Sequence, residues 1–356
     1  MYMNTKKKSI LAICEILLAV VVILFIYFLI HYLEKRDVRA DAQTSEMAMQ
    51  PVNEVQISNY GTVVLGDRQY ILSHPVKTYL FMGTDASGNE DGVGDEYRGA
   101  MADVLMLIVI DEEEEFYGFL QLNRDTITTV PMLQADGTAY ASADIQLCTA
   151  HWYGGDKKAS CENTVTTVSK MLGGIPIDGY YALSMDGLET LNQAVGGVTV
   201  TFPEDLTEID PAMKQGETIT LTDEQAEKLI RARMEMTDDR NTQRMSRQRI
   251  FLDGFLSQVN ECQSEDSDFI IELYDSLHPY ATADINMNEL TKLMKNLGNY
   301  TSKGVYTIDG ESKVGQRLGD SLDHWEFYMD EGSLDSTMNA LYPLVYDGVW
   351  EEESEE

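Results

Sequence analysis

The sequence is poor in basic residues. It holds 26 lysines and arginines against 60 aspartates and glutamates, which gives a formal net charge of −34. A chain with this balance has no basic face for a phosphate backbone, which argues against nucleic acid as a partner. Its five histidines lack the spacing of zinc ligands. Neither a Gly-x-Ser-x-Gly elbow nor a phosphate-binding loop is present.

Cysteine is also scarce, with only four in 356 residues. Cys148 and Cys161 flank a polar loop, and a bridge closing a loop of that size would stabilise by about 3 kcal/mol in the chain-entropy model. A location outside the cytoplasm would permit such a bridge. We predict a Cys148–Cys161 disulfide, with two unpaired thiols as the alternative.

Long apolar runs are limited to one, residues 10–30. Its length matches the roughly 20 residues that cross a bilayer. A signal peptide is the alternative, but no small-residue cleavage site follows the run. Lys6, Lys7 and Lys8 precede it and favour a cytoplasmic N-terminus. We predict a cytoplasmic segment at 1–9 and an uncleaved transmembrane signal anchor at 10–30.

Strand and helix signals alternate after residue 75, which predicts an α/β sandwich. The predicted elements are strands at Val76–Met82, Val104–Ile110, Phe116–Leu122, Ile177–Leu183 and Val198–Phe202, helices at Asn163–Leu172 and from Ser184 to about Val195, a helix opened by the capping box Thr222–Gln225, and a long helix to Val259. We predict a stalk with a possible edge strand at 31–75, the main domain at 76–260, and a C-terminal extension at 261–356 with a disordered acidic tail.

The first three strands place polar residues at their ends. If they form an antiparallel meander, Asp85, Asp103, Arg124 and Asp125 lie at one end of the sheet. Carboxylates beside an arginine suit a hard cation and a phosphate group. Ordinary polar residues at strand ends are the alternative.

Six arginines stand between Arg231 and Arg249, an unusual density for so acidic a chain. Arg244, Arg247 and Gln248 share one helical face, which continues with apolar residues to Val259. Cations on an inward stripe need partners, and the guanidinium fork suits phosphate or carboxylate. The window therefore indicates an anion site, and structural salt bridges are the alternative.

The order of these pieces resembles the LytR–CpsA–Psr family. The matching stretches are LFMGTD (80–85), ADVLMLIVI (102–110), LQLNRDTIT (120–128), AHWYGG (150–155), GIPIDGYYALSMDGLETLNQAVGGVTV (174–200), LTDEQAEKLIRAR (221–233) and RMSRQR (244–249). They cover roughly Val76 to Val259, and a single anchor before the domain fits the family as well.

The resemblance implies a three-layer α-β-α sandwich around a mixed, largely central sheet, outside a Gram-positive-type cell membrane. Members of the family move a glycopolymer, such as teichoic acid or capsule, from polyprenyl pyrophosphate onto peptidoglycan. The expected partners are therefore the polyprenyl-pyrophosphate-linked glycopolymer, peptidoglycan and the membrane, and the expected activity is that of a phosphotransferase.

The resemblance also assigns residues. Asp85 and Asp103 match the carboxylates that bind Mg²⁺, and Arg124 matches the arginine of an Arg-Asp motif. The positions that match contacts to the pyrophosphate are Arg231, Arg233, Arg244 and Gln248. We also predict that Arg124 and Arg247 bind the pyrophosphate. Asp125 and Asp85 both remain candidates for the group that accepts the proton of the attacking hydroxyl.

The chain departs from the family at three positions. Ser87 and Met101 stand where arginine is frequent, and Asn241 stands where aspartate is common. Arg98 could replace one missing arginine, and a solvated loop residue is the alternative. These departures keep open a regulatory or lipid-phosphate-binding protein of weakened turnover, and a polyprenyl-pyrophosphate hydrolase.

Overall fold

The computed structural model describes residues 61–85, 97, 99–232, 240–266, 268–285 and 300–349. The predicted anchor at 10–30, most of the predicted stalk and the acidic tail lie outside the described residues. Within these ranges, no helix combines the length and apolar character that crossing a bilayer requires.

Strands and helices alternate along the described chain. The strands are β1 (Thr62–Leu65), β2 (Arg68–Leu72), β3 (Lys77–Thr84), β4 (Ala102–Asp111), β5 (Phe116–Gln121), β6 (Ile127–Leu133), β7 (Ala139–Gln146), β8 (Gly179–Ser184), β9 (Thr199–Thr201), β10 (Thr218–Thr220), β11 (Ala281–Ala283), β12 (Thr301–Thr307), β13 (Gly310–Gly315), β14 (His324–Met329) and β15 (Leu344–Val349). The α-helices are α1 (Lys157–Met171), α2 (Leu188–Ala194), α3 (Asp223–Arg231), α4 (Arg240–Glu265), α5 (Phe269–Leu277) and α6 (Glu331–Leu341). Short 3₁₀ turns lie at Leu147–Trp152, Met185–Gly187 and His278–Tyr280.

The central sheet has six strands in the order β11-β8-β3-β4-β5-β12. β3, β4 and β5 form the predicted antiparallel meander, in which Leu107 faces Leu80 on one side and Leu120 on the other. β8 runs parallel to β3, and β12 runs parallel to β5. The sheet is therefore mixed, as the sequence predicts.

Helices cover both faces of this sheet because β4 is apolar at nearly every position. Successive side chains of a strand point to opposite faces. Leu107 belongs to a core cluster with residues of α1 and α6, while Ile108 belongs to a second cluster with residues of α2, α3, α4 and α5. Leu107 and Ile108 are both almost fully buried. This arrangement gives the predicted α-β-α layering.

The C-terminal part of the chain joins the same fold. β11 and β12 add to the two edges of the central sheet, and β15 pairs with β2 in a separate three-stranded sheet with β1. A domain boundary at residue 260 therefore does not divide the structure as the sequence suggests. The side chains of β12 are almost all exposed, so this strand lacks the apolar run by which the sequence reveals β4.

The predicted capping box at the start of α3 is present. The Gln225 N–H donates to the Thr222 hydroxyl at 3.2 Å, and the Thr222 N–H donates to Gln225 Oε1 at 3.1 Å. These bonds satisfy two of the donors that a helix start leaves open. They fix the beginning of α3, whose other end borders the site described below.

Candidate functional site

The predicted polar residues do meet at one end of the meander. Asp85 follows β3, and its N–H donates to the Met101 carbonyl at 3.0 Å, directly before β4. Asp103 is the second residue of β4, and Arg124 follows β5 after a last backbone bond from the Leu122 N–H to the Leu105 carbonyl. The antiparallel pairing is what brings these strand ends together.

Arg124 is buried and lies between two carboxylates. Its Nη1 forms a short ion pair with Asp103 Oδ1, and its Nε lies 3.2 Å from Asp125 Oδ1. Its Nη2 lies 2.8 Å from the Met101 sulfur. Burial works against the charged guanidinium and these carboxylates favour it, with the net result that the pKa of Arg124 is raised. Arg124 is therefore a permanently charged group with restricted access to water.

A second guanidinium group reaches the same carboxylate from α4. Arg244 Nη1 lies 3.6 Å from Asp103 Oδ2, so Asp103 faces Arg124 with one oxygen and Arg244 with the other. Burial, and then the charge of Arg124, lowers the pKa of Arg244. Burial raises the pKa of Asp125, against the opposing effect of both arginines. Two cations thus balance two anions in a poorly solvated cluster.

The predicted disulfide is wrong. Cys148 and Cys161 are both thiols in the structure, and each faces a different partner. Cys148 Sγ lies 4.0 Å from the Met101 sulfur, whereas Cys161 Sγ lies 3.5 Å from Nε2 of His151. Burial raises the pKa of the Cys148 thiol to about 11, so it stays protonated beside Arg124 at neutral pH.

His151 connects the residues before β4 to the 3₁₀ turn at Leu147–Trp152. Its side chain is buried, and Nδ1 donates to the Ala100 carbonyl at 3.0 Å, which leaves Nε2 to face the Cys161 thiol. The loop holding Gly99 packs directly on the backbone of His151 and Trp152, where an added Cβ would collide. His151 therefore helps to hold the residues that precede β4 against the 3₁₀ turn at Leu147–Trp152.

We predict a pH-dependent contribution of His151 to stability. Burial lowers the pKa of His151 to about 4, against the effects of Ala100 and Asp85. Because the unfolded chain takes up this proton near pH 6.5, stability is complete above that pH and falls as pH drops towards 4. The loss amounts to about 2 kcal/mol at pH 5.

Urea unfolding at pH 7.5 and pH 5.0 measures this effect. The His151→Gln variant should lose less unfolding free energy between the two pH values than the wild type, by about 2 kcal/mol. Carboxylate titrations occur in both proteins and cancel in the difference. Equal pH dependence in the two proteins would contradict the prediction.

A cavity of about 280 Å³ opens over the ion-pair cluster. Its walls come from the loop before β4, the ends of β5 and β7, the 3₁₀ turn at Leu147–Trp152, the ends of α3 and α4, and the C-terminal β-hairpin of β13 and β14. The residues lining it are Met101, Arg124, Asp125, Gln146, Cys148, Thr149, Ala232, Arg244, Leu318, Asp323, His324 and Trp325. The cavity therefore holds cations on one wall and polar and aromatic side chains on another.

Sequence reasoning missed the C-terminal wall of this cavity. The hairpin is fixed against the cluster because the Phe327 N–H donates to the Asp125 carbonyl at 2.8 Å. The Gln146 side chain also donates to the Trp325 carbonyl at 3.1 Å. No short sequence motif marks these contacts. The only signal in the sequence is that His324 and Trp325 lie outside any apolar run, which suggests that they are at the surface.

The other predicted head-group residues are not all at the cavity. Arg231 is exposed and pairs with Glu227 on its own helix at 3.1 Å. Arg247 is fully buried, and its guanidinium donates to the backbone carbonyls of Leu229, at 3.1 Å, and Ala232. Gln248 is buried behind the site, where its Oε1 lies 3.5 Å from Gln121 Nε2. Arg233 lies outside the described residues.

Ser87, one of the departures from the family, and Arg98, the candidate replacement for a missing arginine, cannot be placed, since both lie outside the described residues. Asn241 lies in α4, in a stretch where no side chain is described. Met101 can be placed: it lines the cavity, and its sulfur contacts Arg124. An uncharged thioether thus occupies the position at which the family resemblance leads one to expect an arginine.

The two carboxylates predicted to hold Mg²⁺ would supply only part of its ligands. Among the described residues, no group of three or more His, Cys, Asp or Glu side chains is placed to hold a metal ion. Mg²⁺ usually takes one or two carboxylates together with phosphate oxygens and water. Asp85 and Asp103 lie at adjacent strand ends and offer that number of carboxylates, but both oxygens of Asp103 face guanidinium groups. A metal ion there would have to replace at least one of these ion pairs.

Comparison with known proteins identifies the family of this chain. The family model described as the LytR_cpsA_psr family matches residues 32–342. Biofilm regulatory protein A of Streptococcus mutans is 30% identical over 249 residues, 65% of this chain and 58% of the relative. The polyisoprenyl-teichoic acid–peptidoglycan teichoic acid transferase TagU of Halalkalibacterium halodurans is 29% identical over 48% of this chain and 51% of the relative. The matches thus span only a little over half of these relatives.

Solved structures give the same fold. TagV of B. subtilis superposes with a TM-score of 0.55 at 20% identity, over 75% of this chain and 95% of that one. At this identity the likeness shows the fold alone. It agrees with the mixed sheet between helical layers described above.

Proposed function

The chain belongs to the LytR–CpsA–Psr family, and from that premise we propose that it is a phosphotransferase that moves a polyprenyl-pyrophosphate-linked glycopolymer onto peptidoglycan. One observation carries the proposal: two buried guanidinium groups, Arg124 and Arg244, share Asp103 at a cavity. Teichoic acid, capsule or a related wall polymer is the substrate class, as the name of the TagU relative also suggests.

The cluster suits a ligand that carries several negative charges close together. Arginine forks bind phosphate oxygens through paired hydrogen bonds. Burial strengthens these interactions relative to water. Arg124 and Arg244 would therefore hold the pyrophosphate and stabilise the charge that develops on its oxygens during displacement at phosphorus.

The charge balance of the cluster implies that its ion pairs change when a pyrophosphate binds. Asp103 and Asp125 already neutralise Arg124 and Arg244, so a pyrophosphate would meet two carboxylates as well as two cations. Mg²⁺ held by Asp85 and Asp103 would supply the missing positive charge and polarise the phosphoryl oxygens. We therefore expect head-group affinity to require a divalent cation.

We propose a cell-membrane protein with its domain outside the cytoplasm. The apolar run at 10–30 would anchor it beside the lipid-linked substrate.

A catalytically weak lipid-phosphate-binding or regulatory protein is the second candidate. The observation that favours it is Met101, whose sulfur contacts Arg124 in place of a further cation. The name of the Streptococcus mutans relative, biofilm regulatory protein A, also suggests a regulatory role. The assay described next separates the two candidates.

The test uses the full-length chain in detergent with a labelled polyprenyl-pyrophosphate-linked glycopolymer, Mg²⁺ and peptidoglycan. Label attached to peptidoglycan supports transfer. Tight binding of the labelled donor without any product supports the regulatory candidate. Free polymer released equally with and without peptidoglycan would show a hydrolase and overturn the transferase proposal.

A further inference from the structure

The cavity that Arg124 and Arg244 line also has a carboxylate-bound histidine in its lining. His324 lines the cavity together with Asp323 and Trp325. Its Nε2 lies 2.9 Å from Asp320 Oδ1 and 2.8 Å from Asp320 Oδ2. An imidazole held by a carboxylate at the mouth of a cavity is an arrangement that accepts protons in hydrolases and transferases.

The contact with Asp320 determines which nitrogen is available. The Leu322 N–H, and after it His324, keep the pKa of the Asp320 carboxyl below its usual value. A carboxylate only accepts hydrogen bonds, so Nε2 of His324 carries the hydrogen and donates it. Nδ1 is then the basic nitrogen, and it makes no hydrogen bond to any residue of the described ranges.

Hydrogen bonds hold the loop that carries Asp320 and His324 in place. The buried Glu326 accepts from the Arg317 N–H at 2.9 Å and from the Tyr328 hydroxyl at 2.6 Å. The Gln316 amide donates to Asp323 at 2.9 Å across the loop. These bonds fix residues 316–323 on the end of the β13–β14 hairpin.

The same hairpin is tied to the arginine cluster close to His324. The Trp325 carbonyl is held by Gln146, and the Phe327 N–H is held by the Asp125 carbonyl. Phe327, three positions after His324, makes this bond to Asp125, whose side chain contacts Arg124. The strand that carries His324 is thus bonded to the residue next to Arg124.

Asp103 is poorly suited to take up a proton, because it faces Arg124 with one oxygen and Arg244 with the other. Burial raises the pKa of Asp125, but its Oδ1 lies 3.2 Å from Arg124 Nε, and this contact occupies that oxygen. Ion pairing to a guanidinium favours the charged form and makes a carboxylate a weaker base. The charged groups near His324 are Arg317, Asp320 and Asp323 on its own loop and Glu326 on β14. The cavity lining adds Arg124, Asp125 and Arg244.

We propose that His324, oriented by Asp320, is the catalytic base that accepts the proton of the acceptor sugar hydroxyl, with Trp325 beside it as a surface for the sugar ring. This inference rests on the proposed transferase function. Aromatic faces pack on apolar ligand surfaces, and the polar neighbours give hydrogen bonds that orient a ligand.

The reaction then balances without any further reactant. The hydroxyl oxygen of the acceptor sugar forms a bond to the phosphorus that carries the glycopolymer. The bond from this phosphorus to the oxygen of the lipid phosphate breaks, and its electron pair leaves with the lipid phosphate. The proton of the hydroxyl passes to Nδ1 of His324.

The test compares full-length wild type, His324→Ala and Leu322→Ala in the transfer assay. His324→Ala should lower kcat by about 100-fold or more, the usual contribution of a general base, and leave donor affinity unchanged. Added imidazole should restore part of the rate. Leu322, on the same loop and exposed, serves as the matched control and should retain wild-type kcat.

The outcomes separate this inference from the function on which it rests. Transfer by the wild type with an equal kcat in His324→Ala would overturn the inference alone. A loss in His324→Ala that appears as weaker donor binding, without imidazole rescue, would also overturn it and assign the loop to the donor sugar. No transfer by the wild type would overturn the proposed function and this inference together.

Discussion

Arg124→Ala is expected to lower the rate of transfer by about 10²–10³-fold, the effect of removing one donor aimed at developing charge. Arg124 is the central group of the cluster, since it pairs with Asp103 and with Asp125 while lining the cavity. Its removal also leaves two poorly solvated carboxylates with less compensation. We therefore expect a loss of unfolding free energy of about 3 kcal/mol, measured by urea unfolding alongside single-turnover transfer.

Arg124→Lys separates these two effects. Lysine keeps the positive charge, so most of the stability should remain, but it lacks the planar fork that binds two oxygens at once. The transfer rate should still fall, by about 10-fold or more. Arg68, an exposed arginine paired with Asp335, provides the control, and Arg68→Ala should transfer like the wild type. A wild-type rate of transfer in Arg124→Ala would show that Arg124 has no role in the reaction.

The part of the site that could be predicted from sequence depends on local geometry. An antiparallel meander has two ends, so residues that leave β3, enter β4 and leave β5 must meet. Asp103 and Arg124 do so. Helical phase likewise predicts the burial of Arg244, Arg247 and Gln248, all of which are at most 9% exposed. Both inferences follow from the regular geometry of strands and helices and need no knowledge of distant contacts.

The parts that the sequence did not predict depend on which distant residue a side chain meets. Arg244 and Arg247 lie on one face of α4, yet one turns to Asp103 and the other to the end of α3. Cys148 and Cys161 are close in sequence, but the side chain of His151 accepts the contact from Cys161. The hairpin of β13 and β14 is some 200 residues from Asp125 in the sequence, and its docking rests on backbone bonds that no motif encodes.

Arg247→Met is expected to lower the unfolding free energy by about 2–4 kcal/mol, because each hydrogen bond to a charged group contributes about 1.5–3 kcal/mol. The Arg247 guanidinium donates to the carbonyls of Leu229 and Ala232 at the C-terminal end of α3. A helix leaves its last carbonyls without partners, and a cation there also complements the helix dipole. Methionine fills much of the same space and supplies no donor.

Head-group affinity, measured on the folded fraction of Arg247→Met, should stay within a few-fold of the wild-type value, since Arg247 contacts α3 rather than the cavity. Arg249→Met, two residues further along α4 and only partly buried, should change stability by no more than about 0.5 kcal/mol. If Arg247→Met instead kept full stability and lost affinity for a polyprenyl pyrophosphate, the guanidinium would belong to the ligand, as the sequence alone suggests. The comparison therefore decides whether this arginine stabilises the helix that borders the cavity or binds the substrate itself.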